Sequence, residues 1–189
     1  MSPEAVPEYD DPFLDRVARR LATNYDLDRD VRVRGERFDL HGELSIRNQK
    51  QFLHPSISFA RHDSTEHLLA RRVGTVREAD LDGLVELGHE LADEWIVPAD
   101  EHFSTDFTFA LVADALGEGV REYVSGFSDR TLLKFGYHGH YEINLLVVVP
   151  SEEQLVASEN ADVAAAFATW DPIEREKSGL LSRLANRLR

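Results

Sequence analysis

Cysteine is absent from these 189 residues, methionine occurs once, and lysine supplies only three of the 21 basic side chains. Without Cys there is no thiolate nucleophile, no CxxC redox pair, no disulfide and no Cys-ligated zinc. No apolar stretch, Leu145 to Val149 included, approaches the roughly 20 residues that a membrane-spanning helix needs. The opening residues Met1-Ser2-Pro3-Glu4-Ala5-Val6-Pro7-Glu8 lack the basic start and apolar core of a secretory signal. A soluble, cytoplasmic protein is expected. The GxSxG, Walker, GxGxxG and HExxH patterns are missing too, so no catalytic class is indicated. No cofactor is expected, and a divalent metal is the one group left open.

What the chain has in abundance is carboxylate: 35 Asp and Glu against 21 Lys and Arg, a net charge of −14. Carboxylates hold water and cations, and 18 of the 21 basic residues are Arg, so the mobile apolar stem of Lys is avoided. This is the chemistry of solubility in concentrated salt. Such a charge repels phosphate backbones, so nucleic acid is not an expected partner. The length fits one domain able to bury roughly 65–70% of its unfolded surface without a staple.

The acidity stops at Asp171-Pro172. Residues 173–189 carry five basic and two acidic groups, whereas residues 1–172 carry 16 and 33. Leu180, Leu181, Leu184 and Leu188 form an apolar stripe beside Arg183 and Arg187, as in an amphipathic helix that packs back on the acidic domain, docks on a partner or lies on an anionic membrane. The chain therefore divides into an acidic α+β domain, 1–172, with a frayed start over 1–10, and a basic C-terminal helix, 173–189.

Periodicity places a first helix from Pro12 to Asn24, capped by Asp11. Alternation from Arg37 to Arg47 puts Phe38, Leu40, Leu44 and Ile46 on one strand face, after a short strand at Val31 and Val33. Further strands are expected at Ile57–Ala60 and His67–Val73, joined by a turn at His62-Asp63-Ser64-Thr65. A capping box at Thr75-Val76-Arg77-Glu78 opens a long helix that Pro98 closes. Phe107–Ala113 is apolar on both faces, as in a central strand, and a helix follows over Gly119–Phe127. Thr131–Val149 reads as a hairpin turning at His138-Gly139-His140, and Ser151-Glu152-Glu153-Gln154 as the cap of a last, weaker helix. The expected fold is α+β: a mixed, mainly antiparallel sheet of five or six strands with helices packed on it, plus the C-terminal helix.

Few residues stand out as chemistry. Asp39, His41 and Glu43 alternate on the polar strand face, about 7 Å apart in succession, a donor set for a divalent cation or for acid–base work. His138 and His140 at the hairpin tip are a candidate metal pair that needs a third ligand. The element order, a helix then a meander bearing carboxylates, resembles the restriction-endonuclease-like fold over residues 12–149. That family needs an acid followed by Glu-x-Lys on the next strand, whereas here Glu43 is followed by Ser45 and Glu142 by Asn144. Composition resembles that of cytoplasmic proteins of salt-accumulating archaea. Phe38-Asp39-Leu40, Asn48, Phe52-Leu53 and Ala110-Leu111-Val112-Ala113-Asp114 resemble an uncharacterised single-domain family of those organisms, which carries no known activity. The sequence favours a non-enzymatic interaction or regulatory module, acting on a protein partner or a second copy of itself, over a metal-dependent phosphoester hydrolase.

Overall fold

The computed structural model describes residues 7–49 and 61–171. The first helix, α1 (Pro12–Leu21), forms where the sequence places it. The Asp11 carboxylate accepts from the N–H groups of Phe13 (2.8 Å) and Leu14 (3.3 Å), capping donors that the helix itself leaves unpaired. Tyr9 donates its hydroxyl to the Asp28 carbonyl at 3.2 Å, and Arg29 reaches the Glu8 carbonyl, so residues just ahead of α1 are tied to the first strand.

Three strands then form an antiparallel meander: β1 (Asp26–Val33), β2 (Glu36–Gln49) and β3 (Arg61–Arg72). The turn expected at 62–65 is instead part of β3, paired with Ser45–Asn48. The strand expected at Ile57–Ala60 falls outside the described residues. After α2 (Glu78–Trp95), β4 (His102–Val112) lies parallel to β3. Helix α3 (Glu118–Gly126) follows, then β5 (Asp129–Leu132) and β6 (His140–Val149), the latter parallel to β4. Strand β7 (Gln154–Ala157) and a short helix, α4 (Ala164–Phe167), complete the described chain.

The result is a mixed, mostly antiparallel sheet of seven strands in the order β1-β2-β3-β4-β6-β5, with β7 pairing the other end of the β6 edge. Helices cover both faces. Helices α2 and α3 pack over Phe107, Phe109, Leu111, Ile143, Leu145 and Val147. Helices α1 and α4 pack over Leu40, Leu68, Ala70, Ala110, Val112 and Leu146. Central strands buried on both sides explain why β4 and β6 read as apolar on both faces.

Three local readings are corrected. The long helix is capped at Arg77 rather than through Thr75: the Asp80 carboxylate accepts from the Arg77 N–H at 2.9 Å. The final hairpin turns over seven residues, Leu133–Gly139, because β5 pairs Leu132 with His140. Parity is preserved, since the loop is still odd, but Phe135 and Tyr137 leave the sheet. Gly139, at φ 73°, lies so close to the Phe103 carbonyl that an ideal Cβ would stand 2.0 Å from its oxygen, and that contact fixes where the turn ends. Lastly, Ser151–Gln154 opens no helix. Glu153 takes a left-handed conformation, φ 53°, which closes a tight turn and folds β7 back on β6.

Candidate functional site: a carboxylate rung in the central sheet

In strands that run between two helical layers, every inward position is expected to be apolar, and one row instead carries an acid on each of three adjacent strands. Glu66 on β3 stands in register with Asp106 on β4, and Asp106 with Glu142 on β6. All three share the α1 side of the sheet, and their exposures are 7%, 7% and 3%. Neighbouring strands are about 4.8 Å apart, so three carboxylates span about 10 Å of core. Directly opposed like charges oppose strand pairing.

The surroundings are polar in an ordered way. Tyr25, just after α1, hydrogen-bonds Glu66, and its phenol is pushed well above the usual range by burial and then by the charge of Glu66. Asn160 donates to Glu142 Oε2 at 3.0 Å. Arg130, at the β5 end of the same row, stands 3.6 Å from Glu142 Oε1, and His140 Nε2 lies at 3.6 Å from the same oxygen. One step along the strands, Thr108 pairs with Asn144, whose Oδ1 accepts from Ser158 Oγ at 3.3 Å. The site thus joins acceptors on the sheet to donors from the 158–160 turn, an arrangement that can hold a cation or bind and orient a polar group. Among the described residues, no three His, Asp or Glu side chains converge to hold a metal ion.

The residues singled out from sequence fall elsewhere. Asp39 is separated from His41 and Glu43, because β2 changes face beside the left-handed Asp30 (φ 54°): Phe38 packs in the α2-side core and Leu40 in the α1-side core. Asp39 lines a cleft of about 220 Å³ with Tyr9, Asp11, Arg29, Arg37 and Arg72, and accepts the Arg72 N–H at 2.8 Å. Burial resists ionisation of Asp11 there, but hydrogen bonds from Arg72 and two backbone amides hold its carboxyl below the usual range. This is an ion-pair lattice tying α1 to the sheet.

His41 and Glu43 lie on the α2 side. The His41 ring stacks on His67 at 5.8 Å, His67 stacks on Phe107 at 5.4 Å, and Trp95 closes edge-on to His67 at 4.9 Å. Glu43 is 4.0 Å from His67 Nδ1. Burial lowers the His41 pKa and takes that of His67 down to about 4. His138 and His140 diverge in role: His138 faces Asp100 at 3.6 Å, while His140 is a buried first residue of β6 beside Phe103 and Arg130. Leu180, Leu181, Arg183, Leu184, Arg187 and Leu188 lie outside the described residues.

A domain of unknown function, DUF8052, matches residues 9–169, which contain the whole carboxylate rung and the elements that carry it. The chain belongs to the DUF8052 family. No curated protein and no solved structure matches it. No helix among the described residues is long and apolar enough to cross a membrane.

Sequence reasoning passed over the rung of this DUF8052 chain. Glu66 falls between the expected turn at 62–65 and the expected strand at His67–Val73, Asp106 just ahead of the expected central strand, and Glu142 draws attention only through the missing Lys two residues on. The available signal was parity: each acid shares an inward face with apolar residues two to four positions along its own strand.

One consequence concerns stability. Asp106 lies between two acids, so Asp106→Asn removes a like-charge neighbour from both while keeping the shape. We expect the thermal midpoint to hold or rise by a few degrees in thermal denaturation at neutral pH, the pattern of a site where stability is traded for function. A fall of more than about 5 °C marks Asp106 as structural.

Proposed function

We propose that this chain is a protein-interaction module without catalytic chemistry of its own, and that it docks through the loop between β5 and β6. The supporting observation is a large aromatic side chain held in solvent by strained backbone. Phe135 is 96% exposed, Tyr137 85% and Leu132 59%. Lys134 and Phe135 both adopt left-handed conformations, φ 48° and 58°, each at a cost of roughly 1–3 kcal/mol. Backbone bonds from Leu133 N to the Gly139 carbonyl (2.9 Å) and from Tyr137 N to the Lys134 carbonyl (3.1 Å) brace the loop. Exposed aromatics on a pre-organised loop are the features of binding hot spots, because the backbone that carries them has little entropy left to lose on binding. Val97, 80% exposed, belongs to the neighbouring segment, where Asp100 meets His138.

The partner this reading favours is residues 173–189 of a second copy. That segment offers a Leu stripe to the aromatics and a net charge of +3 to a body carrying −17. Truncation after Asp171 tests it. The full chain is expected to self-associate in sedimentation experiments and the truncated chain to be monomeric. A full chain that stays monomeric up to its solubility limit contradicts homomeric docking, and association of 173–189 with anionic vesicles instead favours a membrane role. The acidic, Cys-free composition is the ground for placing the protein in the cytoplasm of a salt-accumulating archaeal cell.

The carboxylate rung favours a second reading, a metal-dependent hydrolase or degenerate nuclease-like domain acting on phosphoesters. Against it, Leu68, Thr108 and Asn144 stand two residues after Glu66, Asp106 and Glu142, where a Lys would be needed to meet the scissile phosphate. Hydrolysis of a generic phosphodiester that is lost in Glu142→Gln would reverse this order of preference.

A further inference from the structure

We propose that Asp106, Thr108, Glu142 and Asn144 form a binding site for a single hard divalent cation of the Mg2+, Mn2+ or Ca2+ class. The four residues occupy two adjacent parallel strands, with Asp106 opposite Glu142 and Thr108 opposite Asn144. Alternation puts all four on the α1 side. Their Cα atoms make a rectangle of about 4.8 by 6.7 Å, so a point above its centre is about 4 Å from each in projection. Side chains of this length can deliver oxygens from there to the 2.0–2.6 Å that such cations require. Only two of the four are carboxylates, so no triad of acid or imidazole groups is needed.

Independent evidence comes from two neutral groups. Thr108 is 1% exposed and Asn144 3%, yet Thr108 Oγ1 and Asn144 Nδ2 have no hydrogen-bond partner among the described residues. Burying a hydroxyl or amide without a partner costs roughly 1–3 kcal/mol each. Side by side on one rung, next to two carboxylates, they mark a place where a bound group is expected. A carboxamide has the same outline with its oxygen and nitrogen exchanged. Half a turn of the Asn144 side chain would let its NH2 donate to Ser158 Oγ and bring its oxygen round toward Thr108. The donor set is then four oxygens, two of them charged, which selects hard cations over Zn2+ or Cu2+.

The neighbours suit the same role. Asn160 (3.0 Å) contacts Oε2 of Glu142, and Arg130 and His140 (3.6 Å each) face its Oε1. Such contacts around a ligating carboxylate fix its orientation. Glu66 lies one strand away and adds negative potential. The site is on the α1 side of the sheet and shares no residue with the docking loop, so either proposal can fail without the other.

The test is titration of the full-length chain with Mn2+ alone, followed by electron paramagnetic resonance. Using about 3 M KCl reduces the Debye length below about 3 Å and silences the exposed carboxylates. The expected result is one bound Mn2+ per chain. Asp106→Asn should weaken binding at least tenfold and Thr108→Val several-fold, while Asp39→Asn, at the ion-pair cleft, leaves it unchanged. Thr108→Val keeps the shape, so circular dichroism of this variant separates lost binding from lost folding. No stoichiometric site in the wild type overturns the proposal, as does unaltered affinity in both folded rung variants. Thr108 and Asn144 are then partnered by buried water.

Discussion

Replacing Gly139 with Ala is expected to destabilise the protein by about 2–4 kcal/mol, a large share of the 5–15 kcal/mol typical of a domain. Two effects add. The backbone stands at φ 73°, where a Cβ costs about 1 kcal/mol. The Cβ itself would stand 2.0 Å from the Phe103 oxygen, 2.6 Å from its carbonyl carbon and 2.9 Å from the His102 oxygen. All three are backbone atoms of the first two residues of β4, so no side chain can swing aside, and overpacking of this kind costs a further ~1–3 kcal/mol. Gly35 provides the control. Its φ is 90°, but nothing lies within 4 Å of an added Cβ, so Gly35→Ala should cost only about 1 kcal/mol. Denaturant unfolding of both variants measures the difference. Equal losses would show that the Phe103–Gly139 contact is not what sets the turn.

Acidification should weaken the fold through His67, and His67→Phe should remove much of that sensitivity. The His67 ring lies between His41 and Phe107 with Trp95 across its edge, and burial takes its pKa from 6.5 down to about 4. Glu43 pulls the value up and His41 pushes it further down, but burial dominates. A depressed folded pKa means that the unfolded chain takes up the proton more readily. Stability from this group is therefore complete above about pH 6.5 and is lost as the pH falls toward 4. At 1.36 kcal/mol per unit, the loss attributable to His67 approaches about 3 kcal/mol at the lower end. His41, also lowered by burial although Asp28 and Glu43 raise it, adds in the same direction. Phe at position 67 keeps the stack on Phe107 and has no proton to bind. Unfolding free energies of wild type and His67→Phe, compared at pH 7 and pH 4, should differ by about 2–3 kcal/mol in their acid loss. Equal losses would place the imidazole in water.

Elements governed by local chemistry were legible in the sequence. The Asp11 cap with Pro12 starts α1, the Leu81–Leu91 stripe gives α2, and the two-faced apolarity of β4 and β6 marks the centre of the sheet. Elements governed by distant backbone contacts were not. The hairpin register depends on Gly139 meeting Phe103, 36 residues away, and parity alone could not choose between a three- and a seven-residue loop. β7 depends on a left-handed Glu153, a conformation that its residue type does not advertise. The Asp39-His41-Glu43 row was read as one face because the switch at Asp39, beside left-handed Asp30, leaves no trace in the hydropathy pattern. The rung Glu66–Asp106–Glu142 requires knowing which strands are neighbours. Each acid is unremarkable alone, and only the order β3-β4-β6 aligns them.

The docking account rests on Phe135 and Tyr137 being there for a partner and not for the fold. Sedimentation equilibrium of the full-length chain beside the Phe135→Ser/Tyr137→Ser variant tests this most directly. Because both side chains are exposed, the pair of substitutions should change stability by no more than about 0.5 kcal/mol per site. The account predicts a self-associating wild type and a monomeric variant with the same melting temperature. Identical association states for the two, with the variant folded, would contradict it.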